Sequence, residues 1–283
     1  MNYKNFILEK LITIGKKQRP KSDNVVVLAG GAGSGKGYVI DRLLGIEGKI
    51  FDVDELKKLA IKSTLLNARV KKEFGIDMNE LELKNPDDVS TLHGIVSELG
   101  LAKSTQGIFL KSTIGKKEKP NIIFDTTMST LSKLSGINDT VTPFGYKTEN
   151  IHVVWVVNDL DTAIKQNLQR DRRVPEEILK DTHKHVALTM KNIIEDGNSV
   201  RKYADGDIWM VFNKRFVDSL MVTTKMPGKK GKGAWWDPKS DGKYITKAMY
   251  VKIKEQGKAM KSMGEIDKSV LAKIEEYTKT KFV

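Results

Sequence analysis

Short apolar runs recur along the chain and alternate with longer stretches in which apolar residues follow helical spacing. The runs lie at residues 25–29, 49–53, 121–124, 151–157 and 208–212. Unbroken runs rich in Val and Ile predict strands that are buried on both faces, as in a parallel sheet. Because the runs alternate with helical stretches, the pattern predicts an α/β fold in which helices flank a parallel sheet.

Helical spacing fills most of the chain between these strands. We predict helices over 38–44, 54–74, 161–173 and 175–195. The last two are separated at Val174-Pro175, because the residue before a proline disfavours the α conformation.

The same pattern divides the chain into segments. Residues 1–24 are predicted to form an amphipathic helix, and residues 25–219 a single α/β domain. Within this domain, residues 60–118 are predicted to be a mostly helical insertion. Residues 165–195 are predicted to be an arginine-bearing lid together with the helix that follows it.

The remaining segment is strongly basic. The whole chain carries 49 Lys and Arg against 36 Asp and Glu, a formal net charge of +13. Residues 220–283 hold 15 of the basic residues and 7 of the acidic ones, a net charge of +8. We predict this segment to be a mainly helical extension, with helices over 244–261 and 265–281. Its charge favours an anionic partner, for which a nucleic acid is the leading candidate.

A glycine- and lysine-rich stretch within this extension ends in two tryptophans. Its lysines would follow the phosphates of a nucleic acid while the tryptophans stack on bases. The alternative is a solvated lysine loop that the tryptophans pin to the core. The residues concerned are Lys229, Lys230, Lys232, Trp235 and Trp236.

Composition excludes several kinds of site. The chain has no cysteine, which rules out disulfides, cysteine-ligated metals and a thiol nucleophile. His183 and His185 are two residues apart, which on a helix turns them to different faces, so we expect structural roles and no multi-histidine metal site. The apolar runs are far shorter than the ~20 residues of a membrane span. We therefore expect no membrane segment and a cytoplasmic location, in the host cell if the gene is viral.

A glycine-rich turn follows the first predicted strand and precedes a predicted helix. Its sequence fits G-x-x-x-x-G-K, the phosphate loop of NTP-binding proteins. Glycines allow successive backbone N–H groups to point at phosphate oxygens, and the following helix adds positive potential. A flexible glycine linker is the alternative, and it would not require this strand–turn–helix context. The predicted nucleotide-binding residues are Gly30, Gly31, Ala32, Gly33, Ser34, Gly35, Lys36, Gly37 and Tyr38.

Lys36 is predicted to reach the β- and γ-phosphates of ATP or GTP and to neutralise charge as the γ-phosphoryl group leaves. The Ser or Thr that usually follows this lysine is replaced by Gly37. A direct hydroxyl ligand for Mg²⁺ is therefore missing, as in the G-S-G-K-G loop of adenylate-kinase-like enzymes, which this loop resembles. Mg²⁺ is still expected as a cofactor, because it keeps several waters and binds to substrate phosphates.

Two carboxylates lie at the end of the second predicted strand. Phosphoryl transfer to a hydroxyl needs a base near the acceptor, at the end of a strand beside the phosphate loop. Asp54 is predicted to be this base, and capping of the following helix is its alternative role. Asp52 is predicted to contact the substrate, and the two side chains face opposite ways if the strand stays extended.

Three arginines lie at the end of the predicted helix, just before the break at Val174-Pro175: Arg170, Arg172 and Arg173. Guanidinium groups bind phosphate oxygens through paired hydrogen bonds and stabilise charge during transfer. We predict Arg170 and Arg173 to be catalytic and Arg172 to bind substrate. The alternative is a solvated arginine run, which the helix dipole favours at a helix C-terminus.

Taken together, these motifs resemble the zeta-toxin and polynucleotide-kinase group of P-loop kinases over about residues 23–195. The resemblance implies that Asp54 is the catalytic aspartate that activates the acceptor hydroxyl. It implies that Lys57 holds phosphate or substrate and that Gln169–Pro175 forms the lid. It also implies a P-loop kinase sheet and an antitoxin-like protein as a partner.

The third predicted strand ends in Asp125-Thr126. In the resembled group this position carries a segment that contacts the metal or the acceptor. The resemblance thus implies that Asp125 holds a metal-bound water and that Thr126 binds the acceptor. Capping of the next helix is the alternative role for Asp125.

The motifs predict an ATP-dependent kinase that moves the γ-phosphate to a hydroxyl of a nucleic acid, either a polynucleotide 5′-OH or a hydroxymethylated base. The alternative is a zeta-toxin-like kinase of a nucleotide sugar or another small metabolite. A second alternative, of a different class, is a nucleotide-binding interaction module. Asp54 argues against the module, because a protein that only binds nucleotide needs no base there.

Overall fold

The computed structural model describes residues 12–15, 20–170, 173–214, 217–223 and 244–282. Its strands are β1 (Val25–Ala29), β2 (Lys49–Asp52), β3 (Ile122–Asp125), β4 (Ile151–Val157), β5 (Ile208–Phe212), β6 (Ser219–Thr223) and β7 (Tyr244–Lys254). They form one sheet in the spatial order β2-β3-β1-β4-β5-β7-β6. The first five strands are parallel, and β7 and β6 extend one edge in antiparallel pairing. All five predicted strands are confirmed to within one or two residues.

Helices connect the parallel strands, which confirms the predicted α/β fold. The α-helices of the described residues are α1 (Lys36–Tyr38), α2 (Val53–Ile61), α3 (Thr64–Phe74), α4 (Pro86–Glu98), α5 (Leu101–Lys111), α6 (Leu131–Val141), α7 (Leu160–Leu168), α8 (Glu176–Asp196) and α9 (Lys268–Thr278). α1 continues as a π-helical turn over Val39–Leu43. The helix predicted over 161–173 corresponds to α7, which ends earlier than expected, at Leu168.

The central strands are buried on both faces, which explains their unbroken apolar sequence. In β1, Val25 and Val27 pack into an apolar cluster with side chains of α6, α8 and α9. Val26 and Leu28 point the other way, into a second cluster that includes Ile12. Among the central strands β1, β3, β4 and β5, the ionisable side chains are His152, buried near the start of β4, and Asp125 at the end of β3. The carboxyl edge of the sheet, where Asp125 lies, is therefore the place to look for chemistry.

The helix predicted over 54–74 is two helices. Ser63 separates them, because its Oγ accepts a hydrogen bond from the Leu66 N–H at 3.3 Å and caps α3. Serine favours such caps over helix interiors, since its hydroxyl competes for nearby backbone groups. The segment predicted as a mostly helical insertion, 60–118, contains α3, α4 and α5.

The prediction of a helix over 244–261 is wrong, because these residues form β7 and then a turn. Val251 and Ile253 belong to the first apolar cluster, whereas Lys252 between them lies 4.5 Å from the ring of Trp209. This alternation with a period of two is typical of a strand, and it outweighs the helical spacing that the longer segment suggests.

The described parts of the basic segment, 220–223 and 244–282, therefore contribute two strands and one helix to the main fold and are not mainly helical. β7 pairs with β5, and α9, which confirms the helix predicted over 265–281, packs on the first apolar cluster. Part of the positive charge is compensated by ion pairs, three of them with one buried partner and the fourth, Lys258–Glu255, on the surface. The ion pairs are Lys252–Asp207 at 3.3 Å, Lys254–Asp205 at 2.8 Å, Lys258–Glu255 at 2.5 Å, and Lys273–Asp218.

The amphipathic helix predicted over 1–24 lies mostly outside the described residues. Within the described part, Ile12 forms a parallel bridge with Leu44 and is fully buried. Among the described residues, no helix is both long and apolar enough to cross a membrane.

Candidate nucleotide-binding and phosphoryl-transfer site

The glycine-rich loop between β1 and α1 turns tightly and fits glycine at several positions. Gly33 and Gly35 have φ values of 72° and 87°, in the left-handed region that favours glycine. A Cβ on Gly33 would overlap the carbonyl of Ala163 in α7. The N–H of Gly30 donates to the carbonyl of Thr127 at 3.2 Å, which joins the loop to the segment after β3. The motif thus places glycine where a side chain does not fit.

Three consecutive carbonyl groups of this loop accept hydrogen bonds from side chains outside it. The bonds are Ala32 O from His183 Nε2 at 2.8 Å, Gly33 O from Asn158 Nδ2 at 3.0 Å, and Ser34 O from Asn213 Nδ2 at 2.9 Å. The donors come from three elements, since His183 is on α8 and the asparagines directly follow β4 and β5. In each of these peptides the N–H points away from the bound carbonyl. The N–H of Ser34 donates to the carbonyl of Gly31 at 3.2 Å, and the N–H groups of Gly33 and Gly35 are the ones that suit an anion-binding nest.

His183 is a buried, neutral ring at this loop. Burial lowers its pKa, the bond to the Ala32 carbonyl opposes that effect, and the charge of Lys36 lowers the pKa further. The proton must be on Nε2, because a carbonyl oxygen can only accept. Gly31 lies against the ring, and a Cβ there would overlap it. His185, two residues on, is exposed, so the two histidines face different ways as predicted.

Lys36 folds back over its own loop. Its Nζ donates to the carbonyls of Gly30 at 2.9 Å and Gly31 at 3.3 Å, and lies 3.6 Å from Oδ1 of Asp125. The ammonium therefore lies between the glycine loop and the carboxylate at the end of β3. A phosphate that displaced the two carbonyls would gain a full ion pair with it.

The ends of β2 and β3 place two carboxylates side by side. Asp52 and Asp125 are partners in the parallel register of these strands. Asp52 Oδ1 accepts a hydrogen bond from the Asp54 N–H at 2.7 Å and caps α2. Capping as the role of Asp54 is therefore wrong. Capping is wrong for Asp125 as well, because the N-cap of α6 is Thr130.

Asp54 lies in the first turn of α2 between two cations. Its Oδ1 is 3.5 Å from Nζ of Lys57, and its Oδ2 is 3.9 Å from Nη2 of Arg170. Lys57 is almost fully buried, whereas Asp54 and Arg170 are partly open to solvent. The strand ends at Asp52, so Asp54 reaches the site from a helix and the alternation expected for an extended chain does not apply.

The pKa values of the two strand-end carboxylates are shifted upward. Burial raises the pKa of Asp52, the Asp54 N–H opposes this, and the charges of Asp54 and Asp125 add to the rise. Burial likewise raises the pKa of Asp125, with Lys36 opposing and Asp54 adding. The edge of the sheet thus concentrates negative charge that a cationic ligand would relieve.

The lid is only partly within the described residues. Arg170 contributes the guanidinium near Asp54, whereas Arg173 is exposed and its N–H donates to the carbonyl of Leu83 at 3.2 Å. Asn167 holds the chain beyond the break, donating to the carbonyl of Val174 at 2.7 Å and accepting from its N–H at 3.1 Å. The structure therefore brings Arg170, but not Arg173, against the carboxylate cluster.

The segment after β3 forms a second loop beside the glycine loop. The Oγ1 of Thr126 accepts from the N–H of Met128 at 3.3 Å, and Met128 has a φ of 48°. Lys133 in α6 donates to Thr127 Oγ1 at 2.7 Å and to Ser129 Oγ at 3.0 Å. These contacts shape the loop that the Gly30 N–H binds.

A cavity of about 370 Å³ adjoins Asp52 and Asp125. Its walls come from the turn after α1, from β2, from α2 and from α5. The apolar lining is Ile40, Ile50, Phe51, Val53, Leu56 and Leu59, and the polar lining includes Thr105, Gln106, Asp41, Lys49 and Glu55. Ile50 and Leu59 are 42% and 63% exposed, which leaves large apolar side chains open beside charged ones.

The remaining residues predicted for the site either lie elsewhere in the fold or fall outside the described residues. The side chain of Tyr38 packs against the second apolar cluster, away from the carboxylates. Arg172, Lys229, Lys230, Lys232, Trp235 and Trp236 lie outside the described residues. In the part of the chain that the structure describes, no group of three or more His, Asp or Glu side chains could hold a metal ion.

Sequence reasoning missed the three side chains that hold the loop carbonyls. Asn158 and Asn213 each follow a predicted strand directly, at 151–157 and 208–212, and this position at the carboxyl edge of a parallel sheet would have selected them. His183 offers no such local signal, because its contact depends on how α8 packs across the sheet.

Comparison with known proteins gives only distant similarity. No family model matches the chain, and no curated protein matches it. The solved AvrRxo1-ORF1:AvrRxo1-ORF2 structure with sulphate ions is similar at 14% sequence identity and a TM-score of 0.46. This match covers 92% of the present chain and 65% of the other, and the same complex with ATP gives the same values.

A second similar structure comes from the PezAT chromosomal toxin–antitoxin system of Streptococcus pneumoniae. It is 12% identical, with a TM-score of 0.40, and the match covers 74% of the present chain and 73% of that chain. These values assign the chain to no family and transfer no residue role, so the function is argued from the site itself.

Proposed function

We propose that the protein is a P-loop kinase that transfers the γ-phosphoryl group of ATP or GTP to a hydroxyl acceptor. The observation that carries this proposal is the position of Asp54 between Lys57 and Arg170, at the sheet edge where Lys36 meets Asp125. A carboxylate that two cations orient beside a phosphate loop is what base-assisted phosphoryl transfer requires. A module that only binds nucleotide has no need of it.

In the proposed reaction Asp54 accepts the proton of the acceptor hydroxyl as its oxygen attacks the γ-phosphorus. The new O–P bond forms, the bond to the β–γ bridging oxygen breaks, and the nucleoside diphosphate leaves with the electron pair. Lys36 and the lid arginines stabilise the charge on the transferred group. Arg170 can move from Asp54 to the phosphoryl group, because its Nη2 lies 3.9 Å from Oδ2 of Asp54, which is beyond hydrogen-bond distance for these two atoms.

Mg²⁺ fits this donor set as a companion of the nucleotide. Asp52 and Asp125 offer oxygen ligands of the kind Mg²⁺ prefers, and Gly37 leaves open space where a hydroxyl ligand usually stands. Asp125 would hold such an ion through water. When bound, the metal neutralises the charge of the phosphates.

Transfer of radiolabelled γ-phosphate to a panel of acceptors tests the proposal. The panel contains 5′-hydroxyl DNA and RNA, hydroxymethylated DNA, nucleosides and nucleotide sugars. Labelled product that depends on both the acceptor and Asp54 is the expected result. Nucleotide binding without transfer to any acceptor would favour the interaction module instead.

A nucleic acid is the acceptor that the basic charge of 220–283 favours. The residues that carry this proposal are Lys229, Lys230 and Lys232, since several other lysines of the segment are already ion-paired. Deleting the segment would not be a clean test, because it removes β7 from the sheet. Serine at these three lysines should instead weaken binding and lower the slope of log affinity against log salt by about 0.9 per lost duplex contact. An unchanged slope would contradict the role.

A small metabolite is the second candidate acceptor, and the cavity at Asp52 and Asp125 favours it. About 370 Å³ accommodates a compact molecule, and open apolar side chains beside four carboxylates and one ammonium suit a molecule with an apolar face better than a polyanion. Leu59→Lys would narrow the cavity and change its charge. We expect it to raise the KM of a small acceptor without changing the KM of ATP, whereas a nucleic-acid acceptor bound elsewhere would keep its KM.

An antitoxin-like protein partner stays a prediction of the resemblance, and the cytoplasmic location stays a prediction of the short apolar runs in the sequence. Inhibition of transfer by a protein encoded beside this chain would support the partner.

A further inference from the structure

We propose that His183 is a positioning residue for the phosphate loop, which sets the affinity of the site for nucleotide phosphates without touching the nucleotide. Its Nε2–H holds the carbonyl of Ala32 at 2.8 Å from the opposite side of the loop. The inference rests on the proposed nucleotide binding and goes beyond it, because it assigns a role to a helix that follows the lid.

The contact belongs to a set that fixes a continuous stretch of backbone. The carbonyls of Ala32, Gly33 and Ser34 are each bound by a different element of the fold. Peptide planes whose carbonyls are anchored in this way cannot rotate freely, so their N–H groups keep one direction before any ligand arrives. An anion-binding site that is formed in advance loses less free energy to ordering when it binds.

His183 is better suited to this role than to general packing. Its side chain is 7% exposed, and Gly31 approaches so closely that any Cβ there would overlap the ring. The ring therefore touches the loop at two successive residues, as a donor to Ala32 and as a surface against Gly31. A residue that only filled space in α8 would need neither contact.

Loss of the donor has a defined consequence. The carbonyl of Ala32 would lose its partner in a partly buried region, and the peptide would turn to find another. Turning the carbonyl also turns the next N–H away from the phosphates. Nucleotide affinity should fall, while contacts on the acceptor side, at Asp52 and Asp54, stay as they are.

The test compares four proteins by calorimetric titration with ATP and Mg²⁺: wild type, His183→Leu, His183→Gln and His185→Leu. Leucine fills the space without a donor, and glutamine keeps a side-chain N–H at a similar reach. His185 is exposed on the same helix and serves as the matched control. Melting temperature without ligand is measured for each protein.

We expect the Kd of ATP to rise about tenfold in His183→Leu and to stay within about threefold of wild type in the other two variants. In kinetics the KM of ATP should rise while the KM of the acceptor stays unchanged. An unaltered Kd in His183→Leu would overturn the inference, and so would a His183→Gln protein that binds as weakly as His183→Leu.

Two further outcomes separate the inference from the proposed function. Wild-type protein that binds no ATP would contradict the function itself, whereas normal wild-type binding with an unaffected His183→Leu variant contradicts only the role of His183. If His183→Leu does not fold, Asn213→Leu removes the donor to the Ser34 carbonyl, which comes from a different element of the fold. The same tenfold loss is expected there, and an unchanged Kd would count against a pre-shaped loop.

Discussion

The carboxylate of Asp54 lies 3.9 Å from the guanidinium of Arg170, and this pair joins the second strand's helix to the start of the lid. It connects two parts of the chain that are more than a hundred residues apart. The glycine loop with Lys36 lies at the same carboxyl edge of the sheet, as the contact between Lys36 and Asp125 shows. Asp54, the glycine-rich loop and Arg170 are thus brought together at one edge of the sheet.

Substitution of Arg170 tests the role of the lid. We expect Arg170→Ala to lower the rate of phosphoryl transfer about 100-fold, because the charge of the transferred group loses a preorganised donor. Arg170→Lys should recover little, since an ammonium cannot bind phosphate oxygens in pairs. Steady-state kinetics check both variants, with Arg69→Ala, an exposed arginine on α3 that pairs with Glu73, as the control. A rate for Arg170→Ala equal to that of Arg69→Ala would remove Arg170 from the mechanism.

The contact between Gly31 and His183 predicts a compensating pair of substitutions. Gly31→Ala should weaken ATP binding about tenfold, because its Cβ overlaps the histidine ring. In a His183→Ala background the same change should raise the Kd of ATP by less than about threefold, because the ring that the Cβ would overlap is absent. Gly136→Ala, in α6 outside the loop, is the control, because a Cβ there meets nothing within 4 Å. Equal losses in the two backgrounds would show that the ring is not what excludes a side chain at Gly31.

The raised pKa of Asp125 predicts a pH-dependent stability difference. A carboxyl whose pKa is higher in the folded protein than the ordinary 3.8 contributes stability that is present below 3.8 and is lost as the pH rises through the folded-state pKa. At pH 7 the ionised group therefore destabilises the fold. Asp125→Asn should melt about 2–4 °C above wild type at pH 7, and the difference should shrink toward pH 4.

The Asp125→Asn variant should also lose transfer activity, as expected where a site trades stability for function. Asp139→Asn, on the exposed side of α6, controls for the change of a surface carboxylate. An Asp125→Asn protein that melts below wild type at pH 7 would contradict the direction of the shift.

The sequence was most informative where one residue type answers a local physical demand. A buried strand such as β4 can be predicted from its unbroken apolar run. The glycine-rich loop can be predicted because Gly33 and Gly35 adopt backbone angles that other residues avoid. Asp54 and Lys57 could be selected because both lie immediately after a strand beside that loop. These signals need no knowledge of how distant elements pack.

The sequence was less informative where tertiary packing determines the secondary structure or the contact of a residue. Residues 244–254 alternate in polarity yet also contain helix formers, and only pairing with β5 makes them a strand. Which aspartate caps α2 depends on where β2 ends. Because β2 ends at Asp52 and α2 begins at Val53, Asp52 is the cap and Asp54 lies in the first turn. His183 and its partner Ala32 are 151 residues apart in the sequence, so no local pattern could identify the contact.

Asp54 is the residue on which the proposed function depends most, and the decisive measurement is transfer of radiolabelled γ-phosphate by wild type, Asp54→Asn and Glu55→Gln. Glu55 lines the same cavity as Asp52, so Glu73→Gln, an exposed carboxylate on α3 that pairs with Arg69 at 2.8 Å, is added as the matched control. Asp54→Asn should lower transfer by roughly 10²–10⁴-fold while the Kd of ATP stays within about threefold, Glu73→Gln should leave both unchanged, and Glu55→Gln should lower transfer far less than Asp54→Asn. Full transfer activity in Asp54→Asn would contradict the assignment of the base and, with it, the proposed mechanism.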